Sequence, residues 1–190
     1  MNEKSAFRGM EGEAYVAAIL AAGGVLKIER RKYGMLHNGP NGEPSVQNFS
    51  SKNGKLIRVE LREHGLLNDG PDGRPSVEEF SSRNGIRTRA EHRTDGKRND
   101  TVNGVPAIQD FYSSGQPFYI AFCQDDKYND SATGEAAIRV FDKGKLIRVA
   151  SYKNGELVKE LTAREIYDYL KSRKEQAAKG IKNVAPGLKR

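Results

Sequence analysis

Tryptophan is absent, cysteine occurs once, histidine three times, and no apolar run approaches the ~20 residues needed to cross a bilayer. A single thiol, Cys123, excludes an internal disulfide and suits a reducing compartment. Apolar residues make up only 36% of the chain, which argues against a sheet buried on both faces. With 20 glycines and 30% charged residues, the composition points to a twisted, half-solvated β structure. At 190 residues, one domain or one repeat array is expected. The run Ala14–Leu20 has the apolarity of a short signal segment, but Glu11 and Glu13 abut it. The expected location is therefore the cytoplasm.

What the chain does have is a repeat. Gly65-Leu66-Leu67-Asn68-Asp69-Gly70-Pro71-Asp72-Gly73-Arg74-Pro75-Ser76-Val77, continuing to Gly85, falls on Gly34–Gly54 after a shift of 31 residues. Weaker copies cover Gly96–Gly115 and Asp126–Gly144. Between the glycines lie period-two stretches such as Leu56–Arg62, Arg87–Arg93, Pro117–Cys123 and Leu146–Tyr152, which read as strands. Each follows a partner strand ending in Phe49, Phe80, Phe111 or Phe141. Asn53-Gly54 and Asn84-Gly85 read as tight turns with positive φ at both positions.

The expected fold is mainly β, an elongated antiparallel sheet of four hairpin repeats of ~30 residues capped by a helix at each end. Residues 1–22 are expected to be an N-terminal capping helix, with Met10, Ala14, Ala17 and Ala21 on one stripe. Residues 23–157 form the array. Residues 158–190 form a C-terminal helix, opened by a Thr162/Glu165 capping box, and a basic tail.

The excess charge is unevenly placed. Residues 34–154 carry 17 Lys and Arg against 16 Asp and Glu, so the repeats are nearly neutral. Residues 171–190 carry seven cations, including Lys171, Arg173, Lys174, Lys179 and Lys182, against Glu175 alone.

Alternation sends Ile28, Val59, Ala90, Ile120 and Val149 to a core face. The opposite, outer face then reads Lys27-Glu29-Arg31, Arg58-Glu60-Arg62, Arg89-Glu91-Arg93, Tyr119-Ala121-Cys123 and Arg148-Ala150-Tyr152 in successive rungs. Equivalent strands two apart stand ~10 Å from one another, about a Debye length, so their fields partly add. The cations and tyrosines of these rungs are the expected partner-binding residues. A protein with an acidic surface fits such a moderate stripe. Nucleic acid, held by the ladder arginines and the basic tail, is the alternative. Charges that merely keep a sheet face solvated are the third reading.

No catalytic set emerges, and neither a cofactor nor a small-molecule substrate is expected. His37 and His64 are matched in the next repeat by Asn68 and Asp95, and His92 is matched in the preceding one by Leu61, which is not how a metal site is built. Cys123 has no designated base. The glycines sit between strands, not between a strand and a helix, so there is no phosphate loop.

The residues Gly34, Leu36, His37, Gly39 and Pro40, matched by Gly65, Leu67, Gly70 and Pro71, resemble MORN-like repeats of bacterial and bacteriophage proteins, some of them antitoxin-like. The resemblance covers residues 23–157. The extra Asn41-Gly42 and Asp72-Gly73 depart from it, as does the loss of Gly-Pro in the last two repeats. It implies stacked hairpins that act as a scaffold for protein or lipid contact, without a shared catalytic set, and points to a host-interaction or inhibitor role.

Overall fold

A computed structural model describes residues 4–8, 14–21 and 24–182, with side chains over 26–175. The first stretch supplies β1 (Lys4–Arg8), β2 (Ala14–Ala21), β3 (Gly24–Lys32) and the two-residue β4 (Met35–Leu36). The next supplies β5 (Val46–Phe49), β6 (Leu56–Glu60), β7 (Arg62–Glu63) and β8 (Leu66–Leu67). The same unit returns as β9 (Val77–Phe80), β10 (Arg87–Glu91), β11 (Arg93–Thr94) and β12 (Lys97–Arg98). It returns again as β13 (Ile108–Phe111), β14 (Pro117–Ala121), β15 (Cys123–Gln124) and β16 (Lys127–Tyr128). Then come β17 (Ile138–Asp142), β18 (Lys145–Lys153), β19 (Glu156–Glu160) and the helix α1 (Ala163–Lys182).

The long strands form one antiparallel meander, β1-β2-β3-β5-β6-β9-β10-β13-β14-β17-β18-β19. The elongated hairpin sheet expected from the repeat is therefore present. A feature the alternation does not signal is the break after each long strand. At Leu61, His92 and Phe122 the chain turns out of the main sheet, and the next residues close a short hairpin of their own, β7–β8, β11–β12 or β15–β16. These short hairpins bond to one another along the array: Asp69 N–H donates to Arg93 C=O at 3.0 Å and Gly96 N–H to Leu67 C=O at 2.8 Å. The molecule thus has a wide sheet with a narrow second ladder folded along it.

Turn chemistry follows this division. His64-Gly65 and Asp95-Gly96, at the tips of the short hairpins, have both φ values positive, as a type I′ turn requires. The Asn53-Gly54 and Asn84-Gly85 turns differ from expectation, because only the glycine has positive φ. The asparagines instead reach sideways, Asn53 Nδ2 donating to Ser82 C=O at 2.8 Å and Asn84 Nδ2 to Ser113 C=O at 3.2 Å. The residue type that sharpens the turn also staples adjacent repeats.

Burial corrects the expectation of one core face. Val59, Ala90, Ile120 and Val149 are buried as expected, but so are Val46, Val77, Ile108, Ala121, Ile138 and Ala150 on the ladder face. The short hairpins cover that face: Ile108, Ala121 and Cys123 form a cluster against which Tyr119 and Tyr128 of β16 pack. On the other face α1 lies over the end of the sheet, with Ile166 packed among Ala136, Leu146 and Val149.

The C-terminal helix starts where its capping box places it. Thr162 N–H and Oγ1 both donate to Glu165 Oε2 at 2.8 Å, and Glu165 N–H returns a bond to Thr162 Oγ1 at 3.4 Å. The N-terminal helix is a correction. Ala14–Ala21 is instead a strand, paired from Ala14↔Lys32 to Ala21↔Gly24 with β3 and on its other side with β1. Tyr15, Val16 and Ile19 suit a strand, and the free edge of β3 offers hydrogen bonds that a helix would leave unused. Residues 1–3, 9–13 and 22 of that expected cap lie outside the described residues, as do residue 23 of the array and the tail beyond Lys182.

Candidate interaction surface

The Arg-x-Glu-x-Arg motif sits astride the break between main sheet and short hairpin. Arg58 and Glu60 belong to β6, whereas Arg62 belongs to β7. Glu60 accepts from Arg58 Nε at 2.8 Å and from Arg62 Nε at 2.9 Å, and Arg62 Nη1 reaches on to Gly65 C=O at 2.7 Å. The next unit repeats this. Arg89 Nε donates to Glu91 at 2.7 Å, Arg93 Nη2 to Glu91 at 2.7 Å, and Arg93 Nη1 to Gly96 C=O at 2.7 Å. In the first rung Lys27 and Arg31 flank Glu29 at 2.6 and 3.0 Å, and Arg31 reaches Gly34 C=O. The Glu60 and Glu91 triads are clamps that hold a short hairpin against the wide sheet, whereas the Glu29 triad lies within the unbroken β3.

The clamps are electrostatically closed. Burial works to raise Glu60 and Glu91, but their flanking guanidiniums outweigh it and hold both carboxyls below the usual range. Lys27, above all, lowers Glu29 in the same way. Neighbouring strands supply further carboxylates, since Arg58 also pairs with Glu79 of β9 and Arg89 with Asp110 of β13 at 3.0 Å. Strand register sets Lys27, Asn48, Arg58, Glu79, Arg89, Asp110 and Tyr119 in one row straight across the sheet. From Arg58 to Asp110 that row alternates in sign, so the ladder there is a mosaic of paired charges and not a positive stripe.

Beyond the third rung the charges give way to aromatic packing. Tyr119 Oη lies 3.2 Å from Tyr128 Oη, and the Tyr128 and Tyr152 rings are 5.3 Å apart. Burial raises the Tyr119 phenol far above its ordinary value and pushes the Cys123 thiol up to about 11, leaving that sulfur without thiolate character at neutral pH. Arg148 is tied to Glu160 through Nε at 2.9 Å. On α1, Arg173 meets Glu135 at 2.7 Å while Lys171 and Lys174 are exposed. Lys179 and Lys182 also belong to α1, with side chains outside the described set.

Two recurring positions were not singled out by the sequence pattern. One is the column Asn38, Asp69, Asp100, Asp130. In every case Oδ1 accepts two backbone N–H groups, one from its own loop seven residues on and one from the following long strand or short hairpin. Asp69 takes Ser76 N–H and Arg93 N–H, both at 2.9 Å; Asp100 takes Ala107 and Cys123 N–H at 3.1 and 2.9 Å. Asp69 also holds the buried His92 at 2.7 Å. The 31-residue spacing was the available signal. His37 and His64, equivalent to Asn68 and Asp95, come together with ring centroids 5.2 Å apart, which their different places in the repeat concealed.

The other position is the first residue of each short return strand: Met35, Leu66, Lys97 and Lys127. All four are exposed, and they follow one another along the narrow ladder. A Cβ built on Gly96 would stand 3.6 Å from Leu66, and one on Gly65 4.0 Å from Met35 Cβ, so turn and side chain of adjacent hairpins are stacked. The ridge is apolar at one end, where Tyr33 is also exposed, and cationic further on.

No family model matches this chain, and no curated protein matches it. Among the described residues, no group of three or more His, Cys, Asp or Glu side chains is arranged to hold a metal ion. No helix among them is long and apolar enough to cross a membrane.

Proposed function

We propose that the protein is a non-catalytic, MORN-like repeat scaffold that binds another protein, through the exposed ridge of its short hairpins. The observation that carries this reading is the exposure of Met35 (41%) and Leu66 (50%) at equivalent positions of successive hairpins. Exposed apolar side chains in register mark protein contact more readily than nucleic-acid contact. Lys127 and Lys97, the latter loosely paired with Asp125 at 3.7 Å, extend the same line, so the fitting partner presents an apolar side chain beside an acidic surface. The ladder arginines, engaged by carboxylates, are poor phosphate ligands, since each would have to leave an ion pair first. A host-interaction or inhibitor role accords with such a scaffold.

The test is affinity capture from a lysate of the native host, with and without nuclease, followed by capture on two variants, Leu66→Asp and Lys97→Glu/Lys127→Glu. Retention after nuclease, with loss on both variants of unchanged circular dichroism, is the expected result. Capture that disappears with nuclease and weakens steeply between ~50 and 200 mM salt overturns it in favour of nucleic acid held by α1 and the tail.

A further inference from the structure

Among the described residues, the wide sheet ends in two strands that are each paired on one side only. At the C-terminal end β19 pairs with β18 alone, and all five of its residues are exposed. The helix that follows does not cover this edge: Leu161 N–H turns back to Val149 C=O, and α1 packs on the face of the sheet over Leu146 and Val149. At the other end β1 pairs with β2 alone. An uncovered edge offers a row of backbone donors and acceptors to another strand.

The two edges are matched. β1 reads Lys-Ser-Ala-Phe-Arg and β19 reads Glu-Leu-Val-Lys-Glu. Laid antiparallel, Lys4 falls opposite Glu160, which already carries Arg148 of the neighbouring strand, and Arg8 falls opposite Glu156, which is exposed. Opposite charges facing across a strand pair stabilise it, and like charges destabilise it. Pairing of β19 with a second β19 about Val158 would set Glu156 against Glu160. Pairing of β1 with a second β1 about Ala6 would set Lys4 against Arg8. Charge therefore disfavours both two-fold arrangements and favours the head-to-tail one.

The strand count agrees. The meander runs through twelve strands in alternating directions, so β1 and β19 point opposite ways. A copy displaced along the sheet without being turned over brings its β1 antiparallel to the first copy's β19. Faces are continuous as well. Lys4 stands in the register row of Lys27 through Ile19, and Glu160 stands opposite Ala150 in the row that holds Glu60 and Glu91. Both belong to the ladder face.

We infer that the protein associates with itself head to tail, the β19 edge of one copy receiving the β1 edge of the next, to give an open-ended ribbon with one continuous sheet. Because the interface is heterologous, each added copy leaves one β1 edge and one β19 edge unpaired, so growth continues with concentration. Self-association and capture of a partner on the ridge use different residues, so either can fail without the other.

The experiment is sedimentation velocity of the full chain over a wide concentration range, at low and at high salt. The expected result is a weight-average mass that rises with concentration without a dimer plateau and falls as salt screens the end charges. Glu156→Lys/Glu160→Lys and Lys4→Glu/Arg8→Glu each lose association, and an equimolar mixture of the two variants regains it. Circular dichroism of each variant checks that the sheet is retained. A strictly monomeric chain, a saturating dimer, or association that survives both reversals overturns the inference.

Discussion

At the scale of single residues, the Asx column and the Glu clamps do different work. Asp69 satisfies two backbone N–H groups and a buried histidine at once. Asp69→Ala leaves those groups unpaired and is expected to cost about 1–3 kcal/mol in urea unfolding, whereas Asp69→Asn, which keeps the Oδ1 acceptor as Asn38 does, costs less. Glu60 and Glu91 have folded values below the ordinary 4.5. The stability they contribute is complete above that value and is lost as pH falls through their folded values. Asp100 and Asp110 are raised above 3.8, chiefly by burial, and act in the opposite sense. In a Glu60→Gln/Glu91→Gln variant, stability measured by urea between about pH 5 and 3 should fall less steeply than in the parent.

At the scale of elements, α1 depends on its first turn. Thr162→Ala removes both bonds of Thr162 Oγ1 with Glu165, leaving only the one donated by its own N–H, and is expected to cost about 1 kcal/mol, read as lost helical ellipticity and earlier melting of the last strand pair. This helix was legible in the sequence because its cap is local chemistry. The long strands were legible for a similar reason, their alternation and 31-residue recurrence being properties of the chain alone. The short hairpins were not, since Leu61 and Phe122 carry the apolar alternation straight through the position where the chain turns aside. The stretch Ala14–Ala21 misled for another reason: its alanines fit a helical stripe as well as a strand, and the vacant edge of β3, a tertiary feature, decides between them. The ladder residues were found, but their role depends on register, which sets Glu79 and Asp110 beside Arg58 and Arg89.

At the scale of the whole molecule, the repeated bonds make a chain of nearest-neighbour interfaces, the arrangement in which stability sums unit by unit. Asn38, Asp69, Asp100 and Asp130 each tie a loop of one unit to the strand or hairpin that follows. The β6–β9 and β10–β13 joints are chemically alike: β6 would meet β13 as it now meets β9, with Asp110 in the place of Glu79 against Arg58. Excision of residues 69–99 should therefore give a shorter protein with cooperative thermal unfolding, whereas excision of 69–84, which orphans one strand of a pair, should not. Length in this architecture is a counted quantity, set in steps of one unit. The number of steps fixes the span between Met35 and Lys127, so the chain is a ruler for whatever lies along its ridge.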